Sequence, residues 1–209
     1  IQSVYGRKIE SFLNSVKPKR KSGPKSKGRL DGRTFIDKRP KYIQNRKRVG
    51  DAEADFVVSG KSGHGVLLVL VDRKTRAAFL EQILSITTRQ VYLALRRIKH
   101  RFPELKTMTL DNDLLFQKHK ELEVKLNIRI YFCEPYHSWQ KGQVENTNKW
   151  IRKKIPKGSD ISSFSKSFIY NLETKLNDRI MKCLKYRKPR EVLQAERSKN
   201  TTGQRRHFA

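Results

Sequence analysis

The chain has 209 residues, with 48 Lys and Arg set against 20 Asp and Glu, five His and two Cys, for a net charge of +28. Self-repulsion on that scale is tolerated where a polyanion supplies counter-charge, so nucleic acid is the first candidate partner. The longest uninterrupted apolar run, Val66 to Val71, is far short of the ~20 residues that span a bilayer, and Cys133 and Cys183 have no second pair with which to build a disulfide framework or a structural zinc site.

No signal peptide opens the chain, and the expected location is the cytoplasm, on the nucleoid. The first residue is Ile1, which reads as a fragment or processed product. Charge is uneven: residues 1 to 50 carry +13, residues 51 to 145 carry +3 and residues 146 to 209 carry +12. Ser15 to Arg33 is rich in charge, Gly and Pro and nearly free of apolar side chains, so it reads as a flexible basic linker. The expected organisation is a basic N-terminal segment over 1–49, a folded core over 50–195 and a tail over 196–209.

Within the core, Asp55 to Ser59, Val66 to Asp72 and Thr75 to Ile83 are β-type runs joined by Gly- and Lys-rich turns, the pattern of consecutive antiparallel strands. Thr87 or Thr88 then caps a helix whose Val91, Leu95, Ile98 and Phe102 share a face and which Pro103 ends. Lys106 to Leu110 reads as a short strand, Leu115, His119, Leu122 and Leu126 as a helical stripe, and Ile128, Ile130 and Phe132 as a fifth strand. A third helix is expected from about Gln140 to Lys154, stopped by Pro156, and a fourth buries Phe168, Ile169, Leu172, Leu176 and Ile180. Three hairpin-linked strands followed by helix-linked strands predict an α/β fold: a mixed five-stranded sheet flanked by helices, laid out as in a ribonuclease-H-like domain.

Acids are scarce, so their positions carry weight. Asp55 opens the first strand, Asp111 ends the fourth and Glu145 lies in the third helix, where a sheet of this kind can bring strand ends and a neighbouring helix together. Three hard oxygen donors in a basic protein suit two Mg²⁺ ions, which take a few carboxylates plus water and phosphate oxygens. Two such ions can activate an attacking oxygen and stabilise a leaving one in displacement at phosphorus. On the residues alone, the alternative that each acid is an ordinary surface or capping residue stays open. Asp51 and Glu53 alternate with Asp55 on one face if the strand extends that far, so they compete for the first position. Asp55 is preferred because it leads into Phe56-Val57-Val58.

The segments Gly50-Asp51-Ala52-Glu53-Ala54-Asp55, Thr109-Leu110-Asp111-Asn112 and the run from Tyr131 through Pro135-Tyr136-His137-Ser138-Trp139-Gln140-Lys141-Gly142 to Asn148 together resemble the IS thirty family of bacterial insertion-sequence transposases. These are DDE recombinases with a retroviral-integrase-like catalytic core. Thirty-three residues separate Asp111 from Glu145, in keeping with that family, and the resemblance extends through Ile155 to Asp160 and on to Arg179. It implies a ribonuclease-H-type fold, Mg²⁺ or Mn²⁺ dependence, and cleavage and joining of DNA at insertion-sequence ends. Asp55, Asp111 and Glu145 match the catalytic, metal-holding triad. Arg152 lies where related recombinases carry a basic residue facing DNA, and Asn148 and Lys149 share its helix face with Glu145. With Lys153, His137 and Lys141 they make up the candidate DNA-binding residues. Ala52 stands where the family usually carries Trp, and Asp113 where it carries Gly.

The implied partners are transposon ends and target duplex, with a homo-oligomer assembled on DNA and no membrane. Trp139 is expected to anchor its own loop and Cys133 to be a small buried hydrophobe, while His64, His100, His119 and His207 show no ligand spacing. A competing function is a decayed remnant that binds DNA without sequence preference and does no chemistry, and another is a nuclease of the same fold that cuts without joining.

Overall fold

The computed structural model describes residues 32–112, 116, 118–134 and 138–205, with the backbone alone for 138, 139 and 200–205. Most of the Ser15 to Arg33 linker, together with Asp113, Leu115 and His137, lies outside the described residues. Five strands, β1 (Asp51–Val58), β2 (Val66–Asp72), β3 (Ala78–Ile83), β4 (Thr107–Leu110) and β5 (Arg129–Phe132), form one sheet in the order β3-β2-β1-β4-β5. β1 runs antiparallel to β2, and β2 to β3, whereas β1–β4 and β4–β5 are parallel pairs. Helices α1 (Lys41–Gln44), α2 (Thr88–Arg101), α3 (His119–Leu126), α4 (Gly142–Arg152), α5 (Lys166–Asn177) and α6 (Pro189–Arg205) complete the fold.

Side-chain alternation along the strands divides the core into two layers. Ala52, Ala54 and Phe56 of β1 and Leu68 and Leu70 of β2 face Val91, Leu95 and Ile98 of α2 and Leu122 and Leu126 of α3. Val57, Leu67, Val69 and Val71 face Val144 and Ile151 of α4 and Ile169, Leu172 and Leu176 of α5. Helices therefore cover both faces, and all seven residues of β2 are buried. That is why the segment reads as a continuous apolar run instead of an alternation.

Caps set the helix ends. Thr87 accepts a hydrogen bond from Gln90 N at 3.2 Å and opens α2, and Ser165 does the same for Phe168 N at 3.1 Å in α5. Asn127, at φ 48°, closes α3 in the left-handed region that Asn tolerates.

Several expectations shift. β1 starts at Asp51, four residues earlier than the apolar run, because Asp51 to Glu53 pair in parallel with Thr107 to Thr109. β3 starts at Ala78: Asp72 Oδ2 accepts from Thr75 N at 2.8 Å and from Thr75 Oγ1 at 2.7 Å, folding residues 73–77 into a turn. α4 is shorter than expected, preceded by a 3₁₀ turn over Ser138–Lys141 and ended at Arg152. α5 ends at Asn177, which leaves Ile180 exposed instead of in the buried stripe. α6 runs through residues read as tail. No helix among the described residues is long and apolar enough to cross a membrane.

Neither margin of the sheet is bare. On β3, Asn177 Nδ2 donates to Ala78 O and Asn177 Oδ1 accepts from Ala78 N, both at 2.8 Å, while Glu173 Oε2 accepts from Leu80 N at 2.5 Å and Arg101 Nη2 donates to Leu80 O at 3.0 Å. On β5, Phe132 N donates to Thr34 O at 2.8 Å, Phe35 bridges Phe132, and Ile130 N donates to Glu123 Oε1 at 2.8 Å.

Candidate active site

The parallel register of β1 and β4 matches Asp51 with Thr107 and Glu53 with Thr109. Carried two residues further it brings Asp55 level with Asp111, just past the end of β4. The loop after β4 is held by Asn112, whose Nδ2 donates to Cys133 O at 2.9 Å, and by Cys133 N, which donates to Leu110 O at 2.8 Å. Between the two carboxylates lies the ammonium of Lys141, the residue that precedes α4: Nζ is 3.3 Å from Asp55 Oδ1 and 3.5 Å from Asp111 Oδ2. The lysine side chain is 3% exposed, against 29% for Asp55 and 55% for Asp111. A buried ammonium requires counter-charge, and here two acids provide it. Asn148, two turns along α4, donates from Nδ2 to Asp55 Oδ2 at 2.9 Å and fixes the second oxygen of that carboxylate.

The other two acids of β1 are occupied by the fold. Asp51 is fully buried, receives Arg48 through Nη2 at 2.9 Å and accepts from Thr107 Oγ1 at 2.7 Å. Glu53 pairs with Arg73 Nε at 3.2 Å, and its other oxygen accepts from Gln143 N and Val144 N at 3.1 Å each. Those amides belong to the first turn of α4 and have no partner within the helix, so Glu53 caps α4 from the adjacent strand with a full negative charge. Of the three alternating acids, Asp55 alone is partly exposed.

The remaining candidates divide. Glu145 sits in the first turn of α4, four residues after Lys141 and on the same helix face, partly exposed. Among the described residues it does not close with Asp55 and Asp111 into a group of metal ligands. Lys141, expected on DNA, is instead buried between carboxylates. Arg152 donates to Val58 O at 3.1 Å and Pro156 O at 3.2 Å, tying α4 to the end of β1. Asn148 is turned inward to Asp55, Lys149 is exposed, and Lys153 lies over the Trp150 ring at 3.9 Å from its centre. Ala52 is fully buried on the sheet face opposite Asp55, so the missing aromatic belongs to the α2–α3 layer and not to the carboxylates. Burial pushes the Cys133 thiol up to about 12, with Lys141 opposing and Asp111 reinforcing the effect.

Sequence reasoning misses the inward roles of Lys141 and Asn148. Their signal is present in the spacing: positions 141, 145 and 148 recur at helical intervals beside the first strand. For a divalent ion, the informative feature is the donor set. Asp55 and Asp111 already converge on one positive charge, which is the arrangement of hard oxygens that such an ion takes.

No family model matches the chain. Among curated proteins it is similar to the transposase for insertion sequence element IS4351 of Bacteroides fragilis, 40% identical over 177 residues that make up 82% of this chain and 53% of that protein. It is also similar to the transposase InsI for insertion sequence element IS30A of Escherichia coli K12, 32% identical over 163 residues, 77% of this chain and 42% of that one. The chain thus spans about half the length of the curated relatives it matches. Among solved structures, the catalytic core domain of BIV integrase superposes with a TM-score of 0.57 at 19% identity, covering 72% of this chain and 98% of that one. A simian T-cell lymphotropic virus intasome gives 0.52 at 16%, covering 62% and 49%. Over the stretch it shares with them, the chain belongs to the IS thirty family of insertion-sequence transposases, on the ribonuclease-H-like fold of an integrase catalytic core.

Proposed function

We propose that this chain is the catalytic segment of a DDE transposase, which cuts a phosphodiester at an insertion-sequence end and joins the released 3′-hydroxyl to target DNA. The observation that carries the reading is the meeting of Asp55 and Asp111 on the Lys141 ammonium, at the seam of β1 and β4 in an integrase-type core. Asp55, Asp111 and Glu145 are the residues that would hold Mg²⁺ or Mn²⁺, which supplies Lewis-acid stabilisation of the attacking and leaving oxygens when bound. The chain's own groups prepare that position. Lys141 offsets the mutual repulsion of the two aspartates, Asn148 orients Asp55, and Glu53 fixes the start of α4, the helix on which Glu145 stands.

The test is a Mg²⁺-dependent strand-transfer assay on the complete transposase with labelled element ends. Asp111→Ala and Glu145→Ala are each expected to reduce cleavage and joining to background while leaving DNA affinity within about twofold, since backbone binding rests on Lys and Arg. Substantial strand transfer by either variant would remove the assignment.

A further inference from the structure

On the far flank of α4 from Asp55, a pocket of about 320 Å³ opens between the residues ahead of β1, the β2–β3 turn and the end of α5. That volume is at the small end for ligand sites. Four guanidinium groups line it, those of Arg46, Arg73, Arg76 and Arg179, against one carboxylate, Glu53. Glu53 is already engaged by Arg73 and by the amides of Gln143 and Val144, so it neutralises little of the remaining charge.

Two of the guanidiniums have donors with nothing to bind. Arg76 Nε and Arg179 Nη1 are buried and have no hydrogen-bond partner among the described residues. Leaving such a group unsatisfied is costly. Burial lowers the proton affinity of Arg73, Arg76 and Arg179, and the neighbouring charge of Arg46 lowers that of the first two further. Arginine stays protonated regardless, so the repulsion is borne by the fold. Two of the groups are held in place: Arg179 stacks on Trp150 at 4.2 Å and Arg73 Nη1 donates to Ile43 O at 2.9 Å. Arg76 and Arg46 sit at φ 65° and 52°, a backbone region that costs a side-chain-bearing residue energy.

We propose that this pocket binds a phosphate group of a nucleic-acid backbone, at a site separate from the carboxylates. A planar carboxylate accepts a fork from one guanidinium plane, whereas a phosphate offers oxygens in several directions and can take donors from Arg76 and Arg179 together. Gln143 Oε1 in the same pocket is also buried without a hydrogen-bond partner among the described residues, and a water bridging it to a bound phosphate would satisfy it. The source of the phosphate rests on the reading of this chain as DNA-acting; the anion site itself does not.

The test uses the full 209-residue chain in EDTA, as wild type, as the Arg76→Gln/Arg179→Gln double variant and as Arg46→Gln, whose side chain is exposed. Melting temperature is followed with sodium phosphate and pyrophosphate against chloride at equal ionic strength, and binding of a 30-base-pair duplex is followed over a salt series. Phosphate and pyrophosphate are expected to raise the melting temperature of the wild type but not of the double variant. Duplex affinity should fall about tenfold in the double variant and less in Arg46→Gln, with the log–log salt slope shallower by about 0.9 for each DNA phosphate no longer neutralised. Stabilisation by phosphate with unchanged duplex affinity and salt slope would overturn a backbone source in favour of a free phosphate compound. Stabilisation by polyglutamate but not phosphate would overturn the proposal in favour of an acidic protein segment, and no response to any anion would overturn it outright. Because no divalent ion is present, these outcomes are independent of whether Asp111→Ala abolishes strand transfer.

Discussion

The Glu53 carboxylate has three hydrogen-bonding neighbours in two places: Arg73 on the turn after β2, and the two opening amides of α4. Removing its carboxylate strands a buried arginine and uncaps a helix at once. Glu53→Ala is therefore expected to cost about 3–5 kcal/mol, the range for breaking a buried pair, measured as a shift of the urea midpoint. Asp55→Asn, at a partly exposed position, is expected to abolish strand transfer with a much smaller shift. Equal destabilisation by both would mean that Asp55 also belongs to the framework. The thiols give a second check. Burial raises Cys133 to about 12 while Cys183 is exposed, so iodoacetamide at pH 8 should modify Cys183 alone in the native chain and both after unfolding. Rapid alkylation of native Cys133 would show that its hydrogen-bonded contact with Asn112 opens in solution. At this scale the sequence distinguishes Asp55 from Asp51 and Glu53 only through the apolar run behind it. The partners of the other two lie from three to 91 positions away, and register across a sheet decides them. Lys141 reads as one more surface cation in a basic chain: its helical spacing with Glu145 and Asn148 is visible, but the Asp55 carboxylate that helps to bury it lies 86 positions away.

Helix boundaries show what local chemistry can and cannot encode. Of the two threonines offered as a cap, Thr87 is the one that caps α2, and α2 ends just before the expected Pro103, whereas the caps at Asn127 and Ser165 emerge only in the structure. α6 is not legible: in its described part only Pro189, Val192 and Leu193 are buried, all near its start, too few to make a stripe along the helix. It is held instead by ion pairs, Lys74 with Glu196 at 2.5 Å and Arg197 with Glu104 at 2.7 Å, whose partners are distant in sequence. Another hydrogen-bonded centre joins distant elements. Asp160 Oδ1 accepts from His64 N at 2.8 Å, from Ser162 Oγ at 2.8 Å and from Ser162 N at 2.9 Å, pinning the β1–β2 hairpin to the turn before α5. The Ser162 hydroxyl first, then the backbone amides, hold the Asp160 carboxyl below its ordinary value. A depressed acid contributes stability that is full above the unfolded value and is lost as pH falls through the folded one. The melting temperature of the wild type should therefore exceed that of Asp160→Ala by a margin that is constant above about pH 5 and shrinks below about pH 4. A margin independent of pH between 3 and 6 would show that the pin is steric.

For the whole molecule, charge is the dominant quantity. The segment from 1 to 31 contributes nine of the basic side chains and two acids. Its removal is expected to weaken duplex binding and flatten the log–log salt dependence by about 0.9 for every DNA phosphate that this segment neutralises, with preference among DNA sequences unchanged because phosphate contacts position without specifying. An unchanged slope, measured by anisotropy, would locate the binding face wholly on the folded part.

The groups that dress the two margins of the sheet bear on how copies of this chain can meet. Asn177, Glu173 and Arg101 occupy the amides and carbonyls of Ala78 and Leu80, and Thr34, Phe35 and Glu123 do the same along β5. An exposed margin is a template on which another strand can grow, the route to edge-to-edge polymers. With those groups already spent, a second protomer cannot zip onto this sheet at Ala78, Leu80, Ile130 or Phe132. Under the proposed function, copies gathered on one stretch of DNA would meet away from these four positions, through contacts that can part again more readily than a shared sheet.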